Sequence, residues 1–316
     1  MIRKKSQPAP RSLGQTLATV VSLGALALIG GAHWLGAGKP SDDPAARAPL
    51  ASRMAWSHAA NGAGIVPHSV AGMQRQFTLA GYHLDDIRQG VTAVPRLYVA
   101  RLPLDMPGLD DADQRKAVFI KALLPLILAV DEAAAVDRSR LIVLAAREQR
   151  GEPLRAVERD WLAALARRYG GRVDNPADLL ARVDIVPPSL ALAQAAEETG
   201  WGTSRVVLQH NALFGQQVWN ANGREASIRA FDHLGTSVAA YIQNLNAHPA
   251  YAAFRASRAA LRAAGQPLDS DLLARTLHRY SERRADYIAD LRRIIRSNSL
   301  VEFDRARLSL RSAESS

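Results

Sequence analysis

The sequence predicts a mainly helical α+β body behind an N-terminal transmembrane helix. Three observations carry this. Apolar residues recur at helical spacing from Val118 onward, the Asn222-Gly223 turn signal lies between two short extended stretches, and an apolar run from Ser12 to Gly38 lacks formal charge apart from His33. At 316 residues the chain can bury a sizeable core. Hydrophobic residues make up 48% and charged ones 22%, which excludes wholesale disorder. The lack of cysteine excludes a disulfide scaffold, thiolate zinc sites and cysteine nucleophiles together.

Taken in order, residues 1–11 form a basic tip with Arg3, Lys4, Lys5 and Arg11, and no acid occurs before Lys39. Residues 12–36 are long enough to span a bilayer as a helix, for which ~20 apolar residues suffice. The one-sided positive flank predicts an uncleaved signal-anchor in the inner membrane, with everything after Lys39 facing the periplasm. A cleaved signal peptide, leaving a periplasmic protein, is the alternative. Its apolar core is shorter and its cleavage site A-x-A-like, which Ala37-Gly38-Lys39 matches poorly. Residues 1–39 hold five basic groups and no acid, half of the formal charge of +10. The remaining body is mildly basic, which suits an anionic polymer and gives no specific support for nucleic acid.

Residues 37–66, spaced by Gly38, Pro40, Pro44, Pro49, Gly62 and Gly64, read as a linker. Residues 67–180 read as a helical region packed on a second domain at 181–300. Within it, Gly72 to Gly90 is ambiguous, and Val94 to Val99 is a short extended piece broken by Pro95. Asp110-Asp111 caps a helix that Pro125 kinks or restarts. Arg138 to Arg150, Pro153 to Tyr169 and the stretch opened by Asn175-Pro176 add three more helices. Pro187-Pro188 and Gly200 punctuate a short alanine-rich buried helix. A small hairpin follows around Asn222-Gly223, then helices at 235–247, 251–264, 270–280 and 285–298. The tail at 301–316 is polar, and the part after Phe303 is expected to be loose.

Several chemistries have no sequence support. There is no H-E-x-x-H, no tight metal-ligand spacing among the eight histidines, no G-x-S-x-G and no phosphate-binding G-x-x-x-x-G-K-[ST]. No cofactor and no metal are therefore expected. What remains is the acidic pair Glu197-Glu198, where the alanine-rich helix meets Gly200-Trp201-Gly202. A glutamate half-desolvated by an indole has a raised pKa, and an acid still protonated near neutral pH is what a glycosidic leaving oxygen needs. The competing reading has both acids exposed at a helix C-terminus, where the macrodipole disfavours them.

The run Ala193-Gln194-Ala195-Ala196-Glu197-Glu198-Thr199-Gly200-Trp201-Gly202-Thr203-Ser204, followed by Asn211-Ala212-Leu213-Phe214-Gly215, resembles a known signature. It is that of the bacterial β-N-acetylglucosaminidase superfamily, glycoside hydrolase family 73, with the pattern A-Q-A-A-x-E-S-G-W-G-x-S and then N-N-L-F-G. Arg229 to Asp232, Tyr241 to Asn246, Tyr251 to Arg258 and Lys121 to Leu128 are similar to the Bax-type branch. The resemblance covers roughly residues 94–300. It implies a lysozyme-like helical domain with a small β lobe and a cleft for peptidoglycan glycan strands. It also implies hydrolysis of the β-1,4 bond after N-acetylglucosamine. The general acid it implies is Glu198, which directly precedes the Thr-Gly-Trp-Gly run; adjacent helix residues point ~100° apart, so Glu197 faces elsewhere.

The same resemblance makes Trp201, Asn211, Phe214 and Tyr280 candidate substrate-binding residues, with a packing role favoured for Phe214 and open for Trp201. Ala212 replaces a family asparagine, and Ser281 to Arg284 replace the family's Thr-Asp-Pro after the tyrosine. Arg283, Arg284, Arg292, Arg293 and Arg296 read as a solvated basic face toward an anionic wall. Glu225, on the predicted hairpin, is the candidate second carboxylate, with Asp232 next and the substrate's own acetamido group as an alternative. The expected protein is a membrane-anchored peptidoglycan hydrolase. Its rivals are a lytic transglycosylase and a non-catalytic wall-binding module. Oligomeric state is not legible from the sequence.

Overall fold

A computed structural model describes residues 65–219 and 226–310. The apolar N-terminal segment, nearly all of the 37–66 linker, Glu225 with the Asn222-Gly223 turn, and the last residues of the tail lie outside the described residues. Among those described, no helix is long and apolar enough to cross a membrane.

The stretch the pattern left ambiguous is helical: α1 is Val70–Leu79, capped by Ser69, whose Oγ accepts from the Gly72 N–H at 3.1 Å, and α2 is Leu84–Arg88. Residues 94–99 are extended, as expected, but form only isolated parallel bridges, Ile65 with Val99 and Val94 with Leu308. Pro95 has no N–H to extend either ladder.

Next, α3 runs as one helix over Ala112–Gln149, N-capped by Asp111, whose Oδ1 accepts from Asp113 N–H at 2.9 Å and Gln114 N–H at 3.2 Å. The expected break at Pro125 and the separate helix at 138–150 are therefore corrected. Proline removes one hydrogen bond from a helix interior, but Pro125 is buried between the fully buried Leu124 and Leu126. Packing of the whole segment outweighs that local cost. The two halves of α3 serve different cores: Val118 to Val130 enter the main one, while Leu141 and Leu144 enter a second with Leu162, Leu165 and Tyr169. That second core is completed by α4, Ala156–Tyr169, and α5, Pro176–Arg182, whose N-cap Asn175 accepts from Asp178 N–H.

At the centre lies α6, Pro188–Thr199, started by proline and ended by Gly200 at φ 57°. Leu190, Ala191, Leu192, Ala193 and Ala195 have no exposed surface. Each buried leucine contributes about 1.5–3 kcal/mol, and the alanines let neighbouring helices approach closely. The free N–H of Ser189 is satisfied from far along the chain: Asp304 Oδ1 accepts it at 2.8 Å and Oδ2 accepts the Ser189 hydroxyl at 2.8 Å. Asp304 belongs to a 3-10 turn, Leu300–Arg305, so the start of the tail is packed rather than loose. Its carboxylate is engaged and Phe303 is fully buried, which a polar composition alone does not reveal.

After α6 come a short helix missed in the sequence, α7 (Arg205–His210), and two strands, β1 (Gln217–Trp219) and β2 (Ala226–Ile228). The strands pair antiparallel with Gln217 opposite Ile228 and Val218 opposite Ser227, the predicted hairpin. The remaining helices are α8, Leu234–Ala247; α9, Ala252–Ala263; α10, Ser270–Ala274; and α11, Ala285–Ser297. α10 is shorter than predicted, and the turns after it carry Tyr280. Ahead of α6, buried Asp184 collects Arg262 at 2.8 Å, Arg138 at 3.5 Å and Arg258 at 3.9 Å. Burial pushes its carboxyl up, but the Arg262 hydrogen bond and the other two charges win and hold it below the ordinary value.

Candidate active site

The end of α6 is tied off by its own residues. Thr199 Oγ1 donates to the Ala195 carbonyl at 2.6 Å and accepts from the Gly202 N–H at 3.0 Å. A serine hydroxyl could make the same two bonds, so Thr199 fits the family's serine position. Gly202 has φ 83°, and a Cβ there would lie 2.7 Å from Leu102 Cδ1 and 2.9 Å from Phe119 Cδ2. Only glycine lets the chain turn this close to α3. Between the two glycines Trp201 is half-buried, edge-on to Phe119 with centroids 5.7 Å apart, and Lys116 Nζ sits 6.0 Å from its ring centre. The indole thus wedges against α3 while keeping part of its surface exposed.

The second conserved-looking block is held from behind. Asn211, at φ 53°, closes α7, and its Nδ2 donates to the carbonyls of Phe231 at 3.0 Å and Asp232 at 3.2 Å. Ser237 Oγ accepts from the Leu213 N–H at 3.1 Å, and the Tyr280 hydroxyl donates to the Phe214 carbonyl at 3.1 Å. Phe214 is fully buried and stacked on Tyr241 at 3.9 Å. These ties deliver Gly215 against the acid: a Cβ at Gly215 would sit 3.0 Å from Glu198 Oε2. Asn211, Phe214 and Tyr280 expose almost no surface. All three side chains are engaged in packing and backbone bonds, the role favoured for Phe214 from the sequence. Of the four candidates, only Trp201 keeps surface for a ligand.

Glu197 and Glu198 are separated as the helix geometry requires. Glu197 pairs with Arg283 at 3.0 Å, and Arg283 also pairs with Asp290. Among the described residues Glu198 makes no ion pair at contact distance, and it is close enough to feel tyrosines from three other segments: Tyr287 on α11, Tyr280 before it, and Tyr251 after α8. Burial raises the Glu198 carboxyl to about 7, with the Glu197 charge adding to the rise; a hydrogen bond from Tyr287 and the Arg283 charge oppose it. Burial likewise pushes the Tyr280 and Tyr287 phenols far up, so both stay neutral donors. Glu198 therefore remains partly protonated near neutral pH.

The predicted basic face is largely exposed, and several of its arginines are also paired with acids. Arg292 and Arg296 both reach Asp271, and Arg293 reaches Asp290. Asp232 is exposed on the turn after β2. Glu225 lies outside the described residues. A cavity of about 660 Å³ bounded by His83, Arg88, Lys121 and Glu302 approaches this region only through Lys116 and does not include Glu198. The residues that the sequence reading left without a role are Gln194, Gly215, Tyr241, Tyr251 and Tyr287. The spacing of four between Gln194 and Glu198 was the one available signal, since it puts both on one helix face.

A buried, tyrosine-lined carboxyl group at the end of an alanine-rich helix meets what protonation of a glycosidic oxygen requires. The family model for mannosyl-glycoprotein endo-beta-N-acetylglucosaminidase matches residues 175–300. Protein bax of Escherichia coli (strain K12) is 36% identical over 194 residues, covering 58% of this chain and 69% of that relative. The chain belongs to the glucosaminidase family, in its Bax-type branch. No solved structure matches it significantly.

Proposed function

We propose that the chain is a peptidoglycan hydrolase, an endo-β-N-acetylglucosaminidase that cleaves the β-1,4 bond after N-acetylglucosamine with Glu198 as general acid. One observation carries this reading: burial pushes the Glu198 carboxyl up to about 7, while the neighbouring Glu197 is turned away into an ion pair with Arg283. In this mechanism Glu198 protonates the glycosidic oxygen as the bond to the anomeric carbon breaks and positive charge spreads onto the ring oxygen. The carboxylate left behind is stabilised by the Tyr287 hydrogen bond, which favours the ionised form. The exposed part of Trp201 offers an apolar face to a sugar. Glu225, which lies between β1 and β2 in the sequence, is the proposed base for the attacking water; the substrate acetamido group is the alternative. We further propose that the apolar 12–36 segment anchors the body in the inner membrane, facing the periplasm, on the support of the basic residues ahead of it.

The test is digestion of purified sacculi with the full chain and its variants, with products read by mass spectrometry. Glu198→Gln keeps size and shape but holds no acid proton, so product release is expected to fall ~10²–10⁴-fold. Glu197→Gln is expected to stay near wild type. Equal losses for both, or none for Glu198, overturn the assignment. Products ending in reducing N-acetylglucosamine support hydrolysis, whereas anhydro-muramic ends identify a lytic transglycosylase. A heavy loss in Glu225→Gln assigns the base, and full activity there points to the acetamido group.

A further inference from the structure

We infer that the cavity between α2, α3 and the corner after α11 takes the acidic peptide stem carried by the glycan strand, whose carboxylates meet Lys116 and Lys121. The inference deepens the peptidoglycan reading above and rests on it. The cavity holds about 660 Å³, within the ~300–1,000 Å³ of small-ligand sites. One of its walls is a face of α3. Successive helix residues turn by about 100°, so Lys116 and Lys121 stand about 140° apart with Ala117 and Ile120 between them. All four line the cavity. The result is a small apolar floor flanked by two ammonium groups.

A third cation of the lining, Arg88, is already committed. It donates to the Ser299 carbonyl at 3.0 Å, the Asn298 carbonyl at 3.1 Å and the Glu302 carboxylate at 2.7 Å. Its guanidinium also lies 4.4 Å from the centre of the Phe303 ring. This strut holds α2 against the corner after α11 and occupies Glu302, the acid on that side. Neither lysine is engaged in this way. Lys116 pairs with Asp113 at 3.0 Å, but the Asp113 side chain is 91% exposed, and such a pair exchanges readily for a ligand. Lys121 makes no hydrogen bond or ion pair at contact distance among the described residues. Its Nζ is held at the corner of an edge-to-face ring pair, 5.9 Å from the centre of Phe77 and 5.8 Å from that of Tyr82. Half-buried and without a counter-ion in contact, it gains more from an incoming carboxylate than a solvated lysine does.

Two features point to a peptide on the strand rather than to a free anion. Lys116 is shared with the candidate active site: its Nζ also sits 6.0 Å from the ring centre of Trp201, the partly exposed indole just beyond Glu198. A sugar lying on that indole is one lysine away from the cavity. A four-residue stem extends ~13 Å at ~3.3 Å per residue, more than the ~7.5 Å rise from residue 116 to residue 121 along α3. The lining is also mixed in sign, because exposed Asp85 belongs to it. A peptide with carboxylates and an amine matches both signs, whereas a simple anion matches the lysines alone.

The experiment is calorimetric titration of the full chain with the free peptide Ala-γ-Glu-diaminopimelate-Ala, and with the same peptide after amidation of its carboxylates. The acidic form is expected to bind at least ~10-fold tighter, the scale of one bond between charged groups. Lys121→Met keeps an unbranched apolar stem against Phe77 and Tyr82 and should weaken binding about tenfold, and Lys121→Arg should restore most of it. Rates on intact sacculi and on strands stripped of peptide by an amidase give a second readout. Wild type should favour the intact strands, and Lys121→Met should lose about tenfold of that preference through KM rather than kcat. No binding of the acidic peptide by wild type, or equal binding of the amidated one, overturns the inference without any variant. A Lys121→Met loss equal on both substrates overturns it too, as does inorganic phosphate competing as tightly as the peptide. The titration involves no turnover, so it judges the peptide site even where an active Glu198→Gln shows the general-acid reading to be wrong.

Discussion

Replacing Glu198 by Gln should stabilise the protein in alkali and leave it unchanged in acid. The Glu198 carboxyl titrates at about 7 in the fold against 4.5 in an exposed chain, chiefly because burial opposes its charge. The native state therefore holds its proton more tightly than the unfolded state, and stability falls as pH rises from 4.5 through 7. Below 4.5 both states carry the proton and the group contributes nothing to the difference. Above 7 the fold carries an ionised, desolvated carboxylate. A gap of this size corresponds to about 3 kcal/mol, trimmed to about 2 kcal/mol because the side chain retains some contact with solvent. For a body of this size that is about 4–8 °C in melting temperature. The assay is thermal unfolding of the full wild-type chain and Glu198→Gln at pH 4 and pH 8.5. The difference between the two chains should be near zero at pH 4 and favour the variant at pH 8.5. A difference equal at both values, or one favouring wild type in alkali, would refute the claim that burial of this acid is maintained against a free-energy cost.

Three further outcomes follow from the same geometry. Gly215→Ala places a methyl 3.0 Å from Glu198 Oε2 at a φ of 60°, so the carboxylate must shift and product release should fall by about 10²-fold, more than any loss of stability explains. Gly202→Ala drives a Cβ into Leu102 and Phe119 at a φ of 83° and should cost about 3 kcal/mol, read as a lower urea midpoint. Arg258→Met removes a fully buried guanidinium that donates to the Ile185 carbonyl at 2.8 Å and the Ala181 carbonyl at 2.9 Å, and should cost about 3–5 kcal/mol in the same measurement.

What the sequence disclosed was mostly local. Pro188 and Gly200 bound α6 because proline and glycine act on their own backbone, and Asp111 and Asn175 cap the helices that follow them for the same reason. The choice between Glu197 and Glu198 came from the family signature; the environment that makes Glu198 an acid could not be read. It is assembled from Tyr251, Tyr280, Tyr287 and Gly215, which meet only after folding. Phe214 and Tyr280 show the converse limit. Phe214 packs as the sequence favoured, but that Tyr280 joins it in the buried wall behind the acid is set by contacts between distant segments. The continuity of α3 was hidden because its apolar face rotates between two cores, so periodicity fades near residues 131–138 just where the helix continues.

The link between Asp304 and Ser189 has a consequence for the order of synthesis. A ribosome makes the helix bearing Glu198 more than a hundred residues before it makes the carboxylate that caps that helix's first turn. Until Asp304 emerges, the buried end of α6 lacks its acceptor, and the 3-10 turn that packs along it is missing. A nascent or C-terminally clipped chain thus holds every residue of the catalytic signature without the finished helix that arranges them. Completion of the chain, rather than of the motif, is the step that closes the scaffold.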